Sequence, residues 1–398
     1  MHSSQKPDKS KKVTRRDILK AIAVLAGGVA FNRVGRDLVT TEAKSADSTY
    51  VYLPFVTRSS SNIVSKVVHV RSQNATFWNG QSRYWEYVDQ NAVNAMVDRG
   101  VMELTGTVTI TDAWQKLIPG YLPGKKIAIK VNFNNCWNCS STSGVIDALI
   151  HPVNAVVSGL EKIGVARRDV CVYDSVRALP NRFVNAGLSG ISFFDKYCGT
   201  TAGFSDHPDA YITFNPPPGT TMPAEKVTDV LRNAEYLINM PIMKGIHPLA
   251  GVTLGFKNHF GTIHNCSALH DYVDVVQKPP AYNRDYNPMV DFFNNPQIGG
   301  KTVLTIGDAL FAAKDFNDPP ETWKTFGDTV PNSLFFATDP VAIDCVMHDH
   351  IAAELGDSLT QAADRYLVLA GRAGIGVFES VNPWTDSYTQ INYTKIML

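Results

Sequence analysis

Apolar positions in this chain recur with two periods. Short β-branched or aliphatic runs occur at 64–70, 126–133, 169–173, 191–194, 236–240, 301–306 and 333–337, and each reads as a strand. Helical spacing marks 88–101, 151–163, 341–355 and 358–371, with Val153, Val156, Val157, Leu160 and Ile163 on one face of the second of these. A further helix starts around Thr111–Trp114, with Thr111 as its expected cap. Residues 251–263 also read as a helix that sets Val252, Phe256, His259 and Phe260 on one face. The strand, helix and strand between Lys126 and Tyr173 have the spacing of a parallel crossover. The pattern predicts an α/β fold, a mainly parallel sheet flanked by helices, with loop insertions at 200–223 and 279–300.

Several apolar strands close on a polar residue: Asn132, Asp174, Asn239, Asp308 and Asp339. In a parallel sheet such ends share a rim, where α/β proteins bind ligands. Asp and Asn also favour strand ends and helix caps, and Asp339-Pro340 has the form of a cap followed by proline at the first helical position.

The first 63 residues stand apart from this pattern. A basic segment, Lys11 to Lys20, precedes a mild apolar run over 21–31. Thr14-Arg15-Arg16-Asp17-Ile18-Leu19-Lys20 resembles a twin-arginine export signal. The apolar run is shorter than the roughly 20 residues a membrane span needs. The expected division is a signal and linker over 1–46, a further linker over 47–63, and one α/β domain over 64–398. Cleavage is expected after Ala43 or Ala46, or else the leader is retained as an anchor. The expected partner is the twin-arginine translocation machinery, and the expected address is periplasmic, extracellular or cell-surface.

Lysine plus arginine and aspartate plus glutamate each number 37, so the chain has no basic excess with which to hold nucleic acid or an anionic membrane. Four of its ten histidines fall between Asn233 and His270, just beyond an apolar run. With them come Lys244, Lys257, Asn258 and Cys266, and this is the expected seat of the chemistry. Lys244, His247, Lys257 and Asn258 are the candidate catalytic residues. Lys130, Asn132, Asp174, Asn239 and Asp308 are the candidate ligand-binding residues. An enclosed lysine binds anions or, with a lowered pKa, acts as a base or Schiff-base former; the bland alternative is a lysine reaching solvent.

His264, Cys266 and His270 can supply metal ligands of the kind that suit zinc, iron or nickel, and Cys136 and Cys139 can add two more if the loops meet. The Cys136/Cys139 pair is also open to a disulfide, to a redox-active dithiol or to unpaired thiols. The chain lacks a phosphate-binding P-loop, a G-x-G-x-x-G turn after a strand, a G-x-S-x-G elbow and a His-Glu-x-x-His helix.

Asn239-Met-Pro-Ile-Met-Lys244-Gly-Ile-His247, followed by Gly251-Val-Thr-Leu-Gly-Phe-Lys257-Asn258-His-Phe-Gly261, resembles the domain-of-unknown-function 362 family. Here one extra residue separates Lys244 from His247. The strand up to Asn132, the helix after His151-Pro152, Tyr173-Asp174-Ser175 and Gly307-Asp308-Ala309 look like family positions too, over about residues 64–355. Some family members carry added iron–sulfur segments, which this chain lacks. The resemblance implies a fold and a site more than a reaction. Three functional expectations follow. The first is a metal- or redox-cofactor-dependent enzyme, an oxidoreductase or isomerase, acting on a small anionic substrate. One version of the isomerase is similar to the nickel-dependent lactate racemases, on shared lysine and histidine chemistry alone. The second is a non-catalytic exported protein that binds a carboxylate or phosphate. The third is a structural cluster with its histidines satisfied in the core.

Overall fold

The apolar runs assemble into a mixed 11-stranded sheet. The computed structural model describes residues 65–81, 83–247, 251–356 and 364–398, and only the backbone of residues 246 and 247. All lie in one compact unit, Ser61–Leu398. The leader and linkers up to residue 64 lie outside the described residues, as does 357–363, the first part of the helix expected at 358–371.

The strands are β1 (Ser65–Arg71), β2 (Ile127–Lys130), β3 (Val170–Tyr173), β4 (Ser192–Asp195), β5 (Thr200–Thr201), β6 (Tyr211–Ile212), β7 (Glu225–Lys226), β8 (Tyr236–Asn239), β9 (Ile242–His247), β10 (Gly251–Thr253), β11 (Thr302–Asp315), β12 (Ser333–Ala337) and β13 (Ile391–Met397). The main order is β13-β1-β12-β11-β8-β2-β3-β4-β5; β9 pairs with β11 and β10, and β6 with β7 forms a separate ribbon. From β11 through β8, β2, β3 and β4 to β5 every pairing is parallel. β9 also runs parallel to β11, and β1 to β13. Only β1–β12, β11–β12 and β9–β10 are antiparallel within the sheet. The fold is therefore α/β with a mainly parallel sheet.

Both faces of the sheet are covered, which is why its central strands are continuous apolar runs. Ile127 and Ile129 of β2 face one core, together with Val156, Leu160, Val97 and Val101. Ala128, between them, faces the other core, with Phe256, Phe292 and Val346. The helices Gln90–Thr105, Ile110–Leu117 and Ile150–Glu161 cover the first face, and Pro288–Asn294, Pro340–Leu355 and Arg365–Arg372 the second. No helix among the described residues is long and apolar enough to cross a membrane.

Three local expectations change and one holds. The second helix begins at Ile110, and its cap is Thr109 rather than Thr111, because Thr109 accepts the amide of Asp112. Residues 251–263 do not form one helix. They make β10, a short helix Gly255–Asn258 and a 3-10 turn His259–Thr262. The break has a cause outside the segment: the Asp344 carboxylate accepts the amides of Gly255 and Phe256 and fixes a helix start there. β11 runs on to Asp315, so Asp308 lies mid-strand instead of at a strand end. The expected cap before the helix Pro340–Leu355 is present: Pro340 opens the helix, and Asp339 accepts the amides of Val341 and Ala342.

Candidate functional site

β2 lies between β3 and β8 with Lys130 in register with Tyr173 and Asn239, so the polar residues that follow emerge side by side. Lys130 is wholly buried. Its Nζ donates to Asp174 Oδ2 at 3.0 Å and to Asn258 Oδ1 at 3.1 Å. Asn258 Nδ2 donates to Asn239 Oδ1 at 2.8 Å, and Asn132 Nδ2 donates to Asn258 Oδ1 at 3.3 Å. Asn239 Nδ2 in turn holds the carbonyl of Gly255 at 3.0 Å, tying the short helix to the strand end. Five residues singled out in the sequence (Lys130, Asn132, Asp174, Asn239 and Asn258) thus form one buried network. Asn132 Oδ1 has no hydrogen-bond partner among the described residues.

Above this network opens a small cleft with ≈ 50 Å³ of room for water, lined by Asn132, Asn134, Asp174, Arg177, Thr253, Lys257, Asn258, Phe260, Cys266 and His270 among others. Lys257 Nζ lies 3.0 Å from His270 Nε2 and 3.2 Å from the centroid of the Phe260 ring. The ring face favours an ammonium. Burial opposes it, and with the charges of Arg177 and Lys244 holds Lys257 well below the usual lysine range, against a pull from Cys266 in the other direction. His270 Nδ1 faces the carbonyl of Ser267 at 3.3 Å, which assigns the ring proton to Nδ1 and leaves Nε2 as an acceptor. Burial and then Lys257 lower His270 to about 4. It is neutral near pH 7.

Arg177 closes the other part of the lining. Its Nε donates to Asn134 O at 2.8 Å and Nη1 to Val176 O at 3.1 Å, while the guanidinium lies 4.0 Å from the Trp137 ring centroid. Lys244, opposite Thr253 in the β9–β10 hairpin, is fully buried, and its Nζ has no hydrogen-bond partner among the described residues. Burial lowers it to about 8, although Asp147 and Asp174 pull it up. Burial likewise raises Asp147 to about 7, against Lys244 and Arg182. Both members of the Lys244–Asp147 pair are pushed towards their neutral forms.

The remaining sequence candidates separate. His247 ends β9, and its side chain lies outside the described residues. Asp308 does not line the cleft; it accepts the amide of Leu310 from within β11, and burial raises it to about 7. The proposed metal set does not assemble. His264 is exposed, against the edge of Phe204, and Cys139 is joined to Cys198 in a disulfide. Cys136 is a buried free thiol, raised to about 11 first by burial. Only Cys266 and His270 of the five reach the cleft. Among the described residues no three or more His, Cys, Asp or Glu side chains are grouped to hold a metal ion.

Arg177, Asn134, Asp147 and Asp344 were not anticipated from the sequence. Arg177 had a signal: it stands three residues beyond the Asp174 that follows β3, on the same rim.

A family model described as "Domain of unknown function (DUF362)" matches residues 127–349, a span that includes β2, the buried network and every residue lining the cleft. No curated protein matches the sequence. Among solved structures, the lactate racemase apoprotein from Thermoanaerobacterium thermosaccharolyticum is similar at 12% identity with a TM-score of 0.36, over 65% of this chain and 54% of that one. The chain thus spans about half the length of that relative.

Proposed function

The chain belongs to the domain-of-unknown-function 362 family, and from that premise we propose that the cleft is the active site of an enzyme that moves a proton on a small anionic substrate. The observation that carries this reading is the Lys257–His270 contact of 3.0 Å in a cleft that also holds Arg177. Arg177 offers a fixed, permanently charged fork for a carboxylate or phosphate. Burial holds Lys257 well below the usual lysine range and His270 at about 4, so each presents a neutral nitrogen that can accept a proton from the substrate. A protein built only to hold an anion would gain nothing from discharging its lysine. Asn132, Asn134 and Asn258 supply neutral donors and acceptors for the rest of the substrate. The reading rests on the lysine and histidine of the cleft and needs no ligand set from the cysteines.

The test is exchange of substrate C–H for deuterium. Small hydroxy- and oxo-carboxylates are incubated with the protein in D2O and followed by NMR, while calorimetry reports binding. Exchange that turns over, and that Lys257→Ala removes while binding persists, is the expected result. Binding without exchange would favour the binding-protein reading. An absence of binding by any small carboxylate or phosphate would sink both.

We also place the mature protein outside the cytoplasm. The Cys139–Cys198 disulfide supports this, since such bonds persist in oxidising compartments, as does the Arg15-Arg16 motif. An Arg15→Lys, Arg16→Lys double variant should accumulate inside the cell, as cell fractionation would show. Unchanged export of that variant would refute the twin-arginine route.

A further inference from the structure

We propose that Lys257 is a nucleophile that forms a Schiff base with the carbonyl of a 2-oxo acid held in the cleft. The inference rests on the active-site reading above and names the substrate class for it. The three buried lysines of the site differ in what holds them. Lys130 donates to Asp174, Asn258 and a backbone carbonyl, and is committed to the network. Lys244 does not line the cleft. Lys257 is the lysine that does.

Its surroundings supply no countercharge. No carboxylate forms an ion pair with Lys257 among the described residues, where Lys130 has Asp174 at 3.0 Å. Its Nζ faces one neutral imidazole nitrogen and the face of Phe260. Lysines become nucleophiles when they are desolvated or set beside other cations, and Lys257 has both conditions: burial and the charge of Arg177. Arg177 lines the same cleft and retains an N–H on each Nη beyond those given to Val176 O and the Asn134 side chain. A 2-oxo acid presents a carboxylate next to its carbonyl. One end would engage Arg177 while the other meets the amine.

The step balances with the chain's own groups and one proton from solvent. The Lys257 lone pair attacks the carbonyl carbon, a C–N bond forms, and the carbonyl π pair moves to oxygen, which takes a proton from solvent and becomes the hydroxyl. The proton lost from nitrogen goes to His270 Nε2. His270 returns a proton to the hydroxyl of the carbinolamine, the C–O bond breaks, and water leaves. The product is an iminium that draws electrons from an adjacent C–H or C–C bond, and hydrolysis restores the amine. No oxidant or reductant is required.

Borohydride trapping tests this directly. The full chain is incubated at pH 7 with pyruvate, 2-oxobutyrate or 2-oxoglutarate, reduced with borohydride, digested and read by mass spectrometry. A reduced adduct confined to the peptide containing Lys257, and absent from Lys257→Arg, is expected. His270→Gln should slow trapping by about 100-fold, the usual scale of general acid–base assistance, while circular dichroism shows a retained fold. The absence of an adduct with all three acids, in protein that binds lactate by calorimetry, would overturn the Schiff base and leave the anion cleft standing. Adducts spread over exposed lysines would overturn it too. Loss of all anion binding would remove the active-site reading and this inference together.

Discussion

Gly261 has no room for a methyl group. A Cβ there would sit 2.5 Å from Lys130 Nζ and 2.9 Å from Asp174 Oδ1, so the buried network and this glycine are one fitted unit. Gly261→Ala should destabilise the protein by about 1–3 kcal/mol, the range for overpacking, as urea denaturation would report. Lys130→Met should cost more, about 3–5 kcal/mol, because it leaves the Asp174 carboxylate buried without its cation. Replacing both partners with apolar residues should recover part of that loss. At this scale the sequence was informative where a residue closes a buried strand. Asn132, Asp174 and Asn239 do so, and they meet. It misled at Asp308, because nothing local marks the strand as running seven residues further, to Asp315. It misled too at His264, expected as a metal ligand but exposed within a segment dense in buried groups.

Among the elements, the segment that carries Arg177 is held from two sides. Asp195 at the end of β4 accepts the amides of Leu179, Tyr197, Cys198 and Gly199, and Lys196 N donates to Arg177 O at 3.0 Å. The Cys139–Cys198 disulfide joins that turn to the loop whose Cys136 and Cys139 carbonyls accept the amides of Ala178 and Asn181. Cys198→Ser opens a link between residues 59 apart, and should cost about 4 kcal/mol in the chain-entropy limit. It should also weaken anion binding more than it changes the far-UV spectrum. Cysteine spacing drew attention to Cys136 and Cys139 as neighbours. Pairing is decided by which loops the sheet brings together, and β3 and β4 bring Cys198. The segment 251–263 has the same lesson. Its apolar period is helical, but Asp344, on a helix some 90 residues later in the chain, dictates where the short helix starts.

For the molecule as a whole, His348 ties together parts distant in sequence. Its Nε2 lies 3.0 Å from Asp364 Oδ2, and Asp364 Oδ1 accepts the amide of Val252 in β10. Burial by itself would lower this histidine; its contacts with Asp349 and Asp364 outweigh burial and raise it to about 9. A raised folded value means the stabilisation is complete below the ordinary histidine value of 6.5 and is lost as pH rises through about 9. The gap in melting temperature between wild type and His348→Gln should therefore be wide at pH 6 and close towards pH 10. A gap independent of pH would show that the contact contributes packing alone. The parallel centre of the sheet was readable because strands covered on both faces are unbroken apolar runs. β9 and β13 were not, since IMKGIH and INYTKIM mix lysine and polar residues into the strand. β13 matters beyond its own edge. β1, the first described strand, pairs with β12 and β13 alone, so both of its partners come from the last third of the chain. On a ribosome β1 emerges first and waits, its ladder unpaired, until nearly the whole chain has been made. The sheet of the described residues is therefore closed on this side only once β13 has left the ribosome.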